Sequence, residues 1–121
     1  MKAKKKLMVV GPRVLITADK SEGRTDAGLY LPPTVREKEE VQGGFVVKTG
    51  PGYPVPDVSA VNEEPWSRPG TETKYIPLQA QEGDYALFLK KEAVEIEFEG
   101  EKYLIVPHSA ILALARTEIE E

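Results

Sequence analysis

The sequence predicts an all-β protein. Its apolar runs are short, β-branched and bounded by glycine and proline rather than spaced at helical period. Val94, Ile96 and Phe98 alternate with Glu95, Glu97 and Glu99, which places apolar side chains on one face of a strand and carboxylates on the other. Apart from one short Ala/Leu-rich run near the C-terminus, no stretch of a dozen residues carries a helical pattern. Many short strands joined by turns make a sandwich or a small barrel.

Taken in order, Leu7–Val10 and Val14–Thr17 read as strands separated by the Gly11-Pro12 break, and Phe45-Val46-Val47 as a third that follows Gly43-Gly44. Tyr85–Leu89 is apolar and follows the turn signal Glu82-Gly83-Asp84. Residues 94 to 106 form the clearest hairpin, with Glu99-Gly100-Glu101 as its turn and Tyr103-Leu104-Ile105-Val106 as the returning strand. Ala110–Arg116 has helical propensity, but it is short and lacks a C-cap, so a strand is expected. Between Gly50 and Pro77 lies a long segment with Pro51, Pro54, Pro56, Pro65 and Pro69, together with Trp66 and Tyr75. Loops of that length in a compact domain are usually functional or disordered.

At 121 residues the chain is expected to form one domain, residues 1–121, and size scaling lets it bury roughly 65% of its unfolded surface. A net charge of -4 argues against a nucleic-acid surface. The absence of cysteine excludes disulfides, thiolate catalysis and cysteine-ligated metals, and fits a reducing compartment. The basic start, Met1-Lys2-Ala3-Lys4-Lys5-Lys6, is followed by only four apolar residues, too few for an export signal, and nothing approaches the ~20 apolar residues of a membrane span. A soluble cytoplasmic protein without membrane contact is expected.

The segment Thr25-Asp26-Ala27-Gly28-Leu29-Tyr30-Leu31-Pro32-Pro33 stands out as a cluster of large apolar residues in a polar surrounding. The preceding run from Asp19 to Asp26 cannot bury enough apolar surface to order itself. The residues alone leave two readings open: a binding hook, or an edge strand packed on the barrel. Other motifs have plainer accounts. His108 has no second histidine with which to share a metal, and Ser109 directly after it does not make a triad, whose members converge from separated positions. Gly50-Pro51-Gly52 lacks the Lys-Ser/Thr of a phosphate loop and reads as a strand-ending turn. Glu95, Glu97, Glu99 and Glu101 read as a solvated strand face rather than a cation site. Lys2, Lys4, Lys5 and Lys6 form a basic arm, and Trp66 is either a ligand-stacking residue or an anchor for the long loop.

The order Pro12-Arg13-Val14-Leu15-Ile16, Gly28-Leu29-Tyr30-Leu31-Pro32, Gly44-Phe45-Val46-Val47 and Gly50-Pro51-Gly52 resembles the GroES-like co-chaperonin family, the small caps of group I chaperonins. The likeness continues through Pro77-Leu78, Glu82-Gly83-Asp84, Phe88, Lys90, Gly100, Glu101, Tyr103-Leu104-Ile105 and Ile111-Leu112-Ala113. Departures are Ala27-Gly28 where the family usually has two glycines, Glu92 where a tyrosine is typical, Ala110 where an acidic residue is usual, and a longer segment 50–78.

The resemblance implies an irregular, partly open β-barrel of the GroES type, assembled as a homoheptameric ring. Residues 17 to about 36 would be the mobile loop, with Gly28, Leu29, Tyr30, Leu31 and Pro32 as the chaperonin-binding element, and residues 50–78 the roof hairpin. The implied partner is a group I chaperonin of the 60 kDa class carrying ATP or ADP, with unfolded protein substrates served indirectly. The chain itself would be no enzyme and would hold no cofactor or metal. Ring closure needs unlike surfaces on neighbouring subunits, and the apolar runs Leu7, Met8, Val9, Val10 and Ile111, Leu112, Ala113, Leu114 are the expected pair. The competing reading is a divergent small barrel that binds a ligand or peptide through its Pro-rich loop without capping a chaperonin. A zinc alcohol dehydrogenase barrel, similar in fold, would need a dinucleotide domain and metal-binding cysteines that are absent.

Overall fold

The computed structural model describes residues 3–19, 40–55 and 74–119. Eight strands account for most of them: β1 (Arg13–Ala18), β2 (Val41–Thr49), β3 (Tyr53–Val55), β4 (Lys74–Ile76), β5 (Tyr85–Leu89), β6 (Val94–Phe98), β7 (Glu101–Pro107) and β8 (Ile111–Ala115). Six form one antiparallel sheet in the order β6-β7-β1-β2-β5-β8, and β3 pairs with β4 in a separate two-stranded ribbon. Neither β6 nor β8 has a second neighbour in this order, so the sheet is open. The all-β expectation holds, and among the described residues two single-turn 3-10 segments interrupt it, at Lys90–Glu92 and His108–Ala110.

The core lies on one face of the sheet, where Val14, Ile16, Val46, Ala86, Phe88 and Val106 meet Ala80 and Ala110. Alternation along β1 sends Leu15 to the opposite face, where it is also buried. Tyr85 is buried there as well, its ring edge-on to Phe45 at 5.0 Å, directly across the β2–β5 ladder.

The β6–β7 hairpin closes as the alternation predicts. Its loop is the pair Glu99 and Gly100, with φ of 51° and 82°, the two positive angles of a type I′ turn. Glu101 belongs to β7 rather than to the turn. The C-terminal segment is a strand, β8, as expected.

Two expectations are corrected. Leu7–Val10 forms no strand within the subunit: no strand among the described residues pairs with it, and the carbonyls of Leu7 and Val10 are taken by the side chains of Lys48 and Arg13 instead. The strand expected to begin after Gly43-Gly44 begins before them, at Val41. Both glycines sit inside β2 because other groups fill the space of a side chain. A Cβ on Gly43 would lie 2.1 Å from the Tyr85 hydroxyl, and one on Gly44 2.4 Å from the Ile16 methyl.

Candidate functional site

Three places among the described residues border the expected sites: the residues flanking the segment that carries the apolar tripeptide, the β3–β4 ribbon, and the edge strand β8 with the N-terminal arm. The tripeptide itself, Leu29-Tyr30-Leu31 with Gly28 and Pro32, lies outside the described residues, as do Trp66 and Lys2.

Asp19 and Glu40, the described residues that flank positions 20–39, both lie at one end of the sheet. Thr17 and Ala18, expected to open the mobile loop, still pair with Phe45 and Gly44 as the last residues of β1, so the excursion starts later than the sequence suggests. The Asp19 amide donates to the Gly43 carbonyl at 2.9 Å, and the Tyr85 hydroxyl donates to the Asp19 carboxylate at 2.8 Å. On the returning side the Lys90 amide donates to the Glu40 carbonyl at 3.1 Å. Both feet are therefore fixed to the sheet, one through a buried tyrosine whose phenol occupies the gap left by Gly43.

Within the segment expected to form the roof, β3 and β4 make a two-stranded ribbon in which Pro54 faces Tyr75. Gly50-Pro51-Gly52 is the junction expected of a strand-ending turn. Gly50 donates to the Arg13 carbonyl at 2.9 Å, and Gly52 has φ of 117° with its open side against the Ile76 carbonyl, which a Cβ would approach to 2.0 Å. That combination requires glycine. His108 is half-buried at the corner between β7 and β8, with its Nδ1 3.1 Å from the Tyr53 hydroxyl. This contact ties the ribbon to the sheet. Tyr53, Tyr75 and Ile76 remain exposed.

Strand β8 is an open edge. Its ladder with β5 slips between Leu87 and Phe88, leaving Leu112 as the extra residue, 57% exposed. A groove of about 580 Å³ runs along it, lined by Gln79, His108, Leu112, Leu114 and Arg116 among others. Of the expected interface residues, Met8 and Val10 are each 70% exposed, Leu7, Val9, Ile111 and Leu114 are half-buried, and Ala113 is exposed. The arm and β8 do not pair within one subunit.

The sequence reading missed the group that fixes the end of β8. Asp84, 1% exposed, accepts from Arg116 Nε and a terminal guanidinium nitrogen, both at 2.7 Å, and from the Gln81 amide at 2.9 Å. The same nitrogen of Arg116 also reaches the Gln79 carbonyl at 3.0 Å. The two residues stand 32 apart in the chain, so only the turn at Gly83, which aims Asp84 inward, hinted at the pair. The Arg116 hydrogen bonds hold the Asp84 carboxyl below its ordinary value of 3.8 against the opposing effect of burial. A depressed folded value means that the pair's contribution is present above 3.8 and is lost as pH falls through the lower folded value. Asp84→Asn should cost about 1.5–3 kcal/mol at neutral pH, because an amide NH2 would face the guanidinium donors. It should also remove the pair's share of the acid destabilisation below pH 3.8, and thermal melts of both proteins from neutral pH down to about pH 2 check both effects.

Among the described residues no group of three or more His, Asp or Glu side chains comes together, and no helix is long and apolar enough to cross a membrane. The acidic face of β6 is solvated, with a 4.0 Å contact between Glu95 and Lys102.

The chain was compared with known proteins. The family model described as Chaperonin 10 Kd subunit matches residues 6–115. A protein named Co-chaperonin GroES from Nocardia farcinica is 36% identical over 102 residues, covering 84% of this chain and 86% of that protein. Proteins of the same name from Mycolicibacterium vanbaalenii, 35% identical with the same coverage, and from Mycobacterium avium, 34% identical over 93% of this chain and 96% of that protein, are similarly related. An all-β open sheet and a family match over nearly the whole chain agree, and the chain belongs to the chaperonin 10 Kd subunit family.

Proposed function

We propose that this protein is a cytoplasmic co-chaperonin that caps the ring of a group I chaperonin in its nucleotide-bound state and encloses substrate protein for folding. The observation that carries this reading is the pair of fixed feet at Asp19 and Glu40. They fix the two flanks of a segment that carries Leu29-Tyr30-Leu31 near the middle of its sequence, in a chain whose family is that of the 10 Kd chaperonin subunit. The tripeptide docks in an apolar groove of the partner, nucleotide chemistry belongs to that partner, and this chain contributes binding alone.

Subunits join head to tail, with Leu7, Met8, Val9 and Val10 of one copy added to Ile111, Leu112, Ala113 and Leu114 of the next. The exposed side chains of Met8, Val10 and Leu112 and the open β8 edge support that pairing. Residues 50–78 form the roof of the cap.

Trypsin tests the reading against a free-standing barrel that works through its Pro-rich loop. Cleavage at Lys20 and Arg24 that stops on addition of a group I chaperonin with adenine nucleotide supports the cap. Cleavage that chaperonin does not slow contradicts it.

A further inference from the structure

The N-terminal arm is held by side chains rather than by a strand ladder. Lys48 Nζ donates to the Leu7 carbonyl at 2.8 Å across 41 residues of chain, and Arg13 donates to the Val10 carbonyl at 3.0 Å. Lys48 stands opposite Leu15 in the β1–β2 ladder, so its side chain leaves the sheet on the face away from the main core. It is half-buried, whereas Lys4, Lys5 and Lys6 of the arm are exposed. Between the two anchored carbonyls burial alternates: Leu7 and Val9 are half-buried, Met8 and Val10 exposed. That is the pattern of an extended chain with one side against its own subunit and the other outward.

We propose that Lys48 is a positioning residue for subunit assembly, a clip that sets Leu7–Val10 in the extended shape which the neighbouring copy's β8 edge accepts. The inference rests on the head-to-tail pairing given above. An ammonium group suits this task because it supplies donors without needing a ladder register. In an extended chain the amide and carbonyl of Met8 lie on the edge opposite the Leu7 carbonyl, which is the edge a second strand pairs with. A free arm would have to be ordered at each interface formed, and an arm already ordered before association avoids that loss.

Sedimentation equilibrium over a dilution series, with Lys48→Met, Lys48→Arg and a variant lacking residues 1–10, tests the proposal. Lys48→Met keeps the aliphatic stem and loses the donor. It should raise the concentration of half-assembly by roughly tenfold or more, lower the backbone NMR order parameters of residues 7–10 in dissociated subunits, and leave their thermal midpoint unchanged. Lys48→Arg should restore assembly. If the truncated protein is monomeric while Lys48→Met assembles like the parent, the clip is refuted and the interface stands. If the truncated protein stays assembled, the interface reading itself falls. A thermal midpoint lowered in step with assembly would also refute the clip, since Lys48 would then serve the subunit's own stability.

Discussion

Removal of residues 1–10 is expected to convert the assembled protein into monomers that keep their six-stranded sheet. The sheet survives because the arm contributes no strand to it and touches it through the Lys48 and Arg13 side chains. Assembly is lost because β8 then has nothing to pair with on its open side and Leu112 keeps its 57% exposure. Burying side chains such as Met8, Val10 and Leu112 contributes about 1.5–3 kcal/mol each, and strand addition satisfies backbone groups that otherwise face water. Sedimentation velocity reads the outcome directly, as a particle below the 13.4 kDa of one full-length subunit. A ring that persists after truncation would contradict the interface.

Leu29→Asp is expected to leave that ring intact and to abolish capture by a group I chaperonin. One hook binds weakly: burial of Leu29 and Leu31 in a groove contributes about 1.5–3 kcal/mol per side chain, while ordering each residue of the tether costs about 1–2 kcal/mol. Pro32 and Pro33 reduce that cost by restricting Leu31 to extended conformations and narrowing the unfolded ensemble. A ring of hooks raises avidity by about 10² to 10⁴ because later contacts form within one complex. The same multiplication works against the variant, since a carboxylate in each apolar groove penalises every contact at once. A lid built this way grips firmly and still comes off when the partner's grooves change.

The parts of the fold most legible in the sequence were those whose pattern is local. Alternation from Val94 to Phe98 and a Glu-Gly turn fix a hairpin without help from the rest of the chain, and the shortness of Ala110–Arg116 rightly favoured a strand, which spans Ile111–Ala115. Leu7–Val10 misled because a β-branched apolar run signals pairing without saying whether the partner lies in the same molecule. Gly43 and Gly44 looked like a boundary, yet they lie within β2 because Tyr85 and Ile16 fill their missing side chains, a relation visible only across the sheet.

Strands β3 and β4 are three residues each and include Pro54, below what a periodicity can reveal. The family resemblance, not local pattern, suggested a hairpin there. The roots of the tripeptide segment and the Asp84–Arg116 pair were illegible for the same reason. Tyr85 reaches Asp19 across 66 positions and Arg116 reaches Asp84 across 32, and no spacing rule links residues so distant. The tripeptide was legible as an apolar cluster out of place, but its location falls outside the described residues.

Native mass spectrometry of the full-length chain mixed with a group I chaperonin, with and without adenine nucleotide, tests the central claim most directly. The expected result is a complex of the chaperonin with one ring of this protein that forms only with nucleotide and disappears with Leu29→Asp. No complex under any nucleotide condition, or one that the substitution leaves untouched, would contradict it.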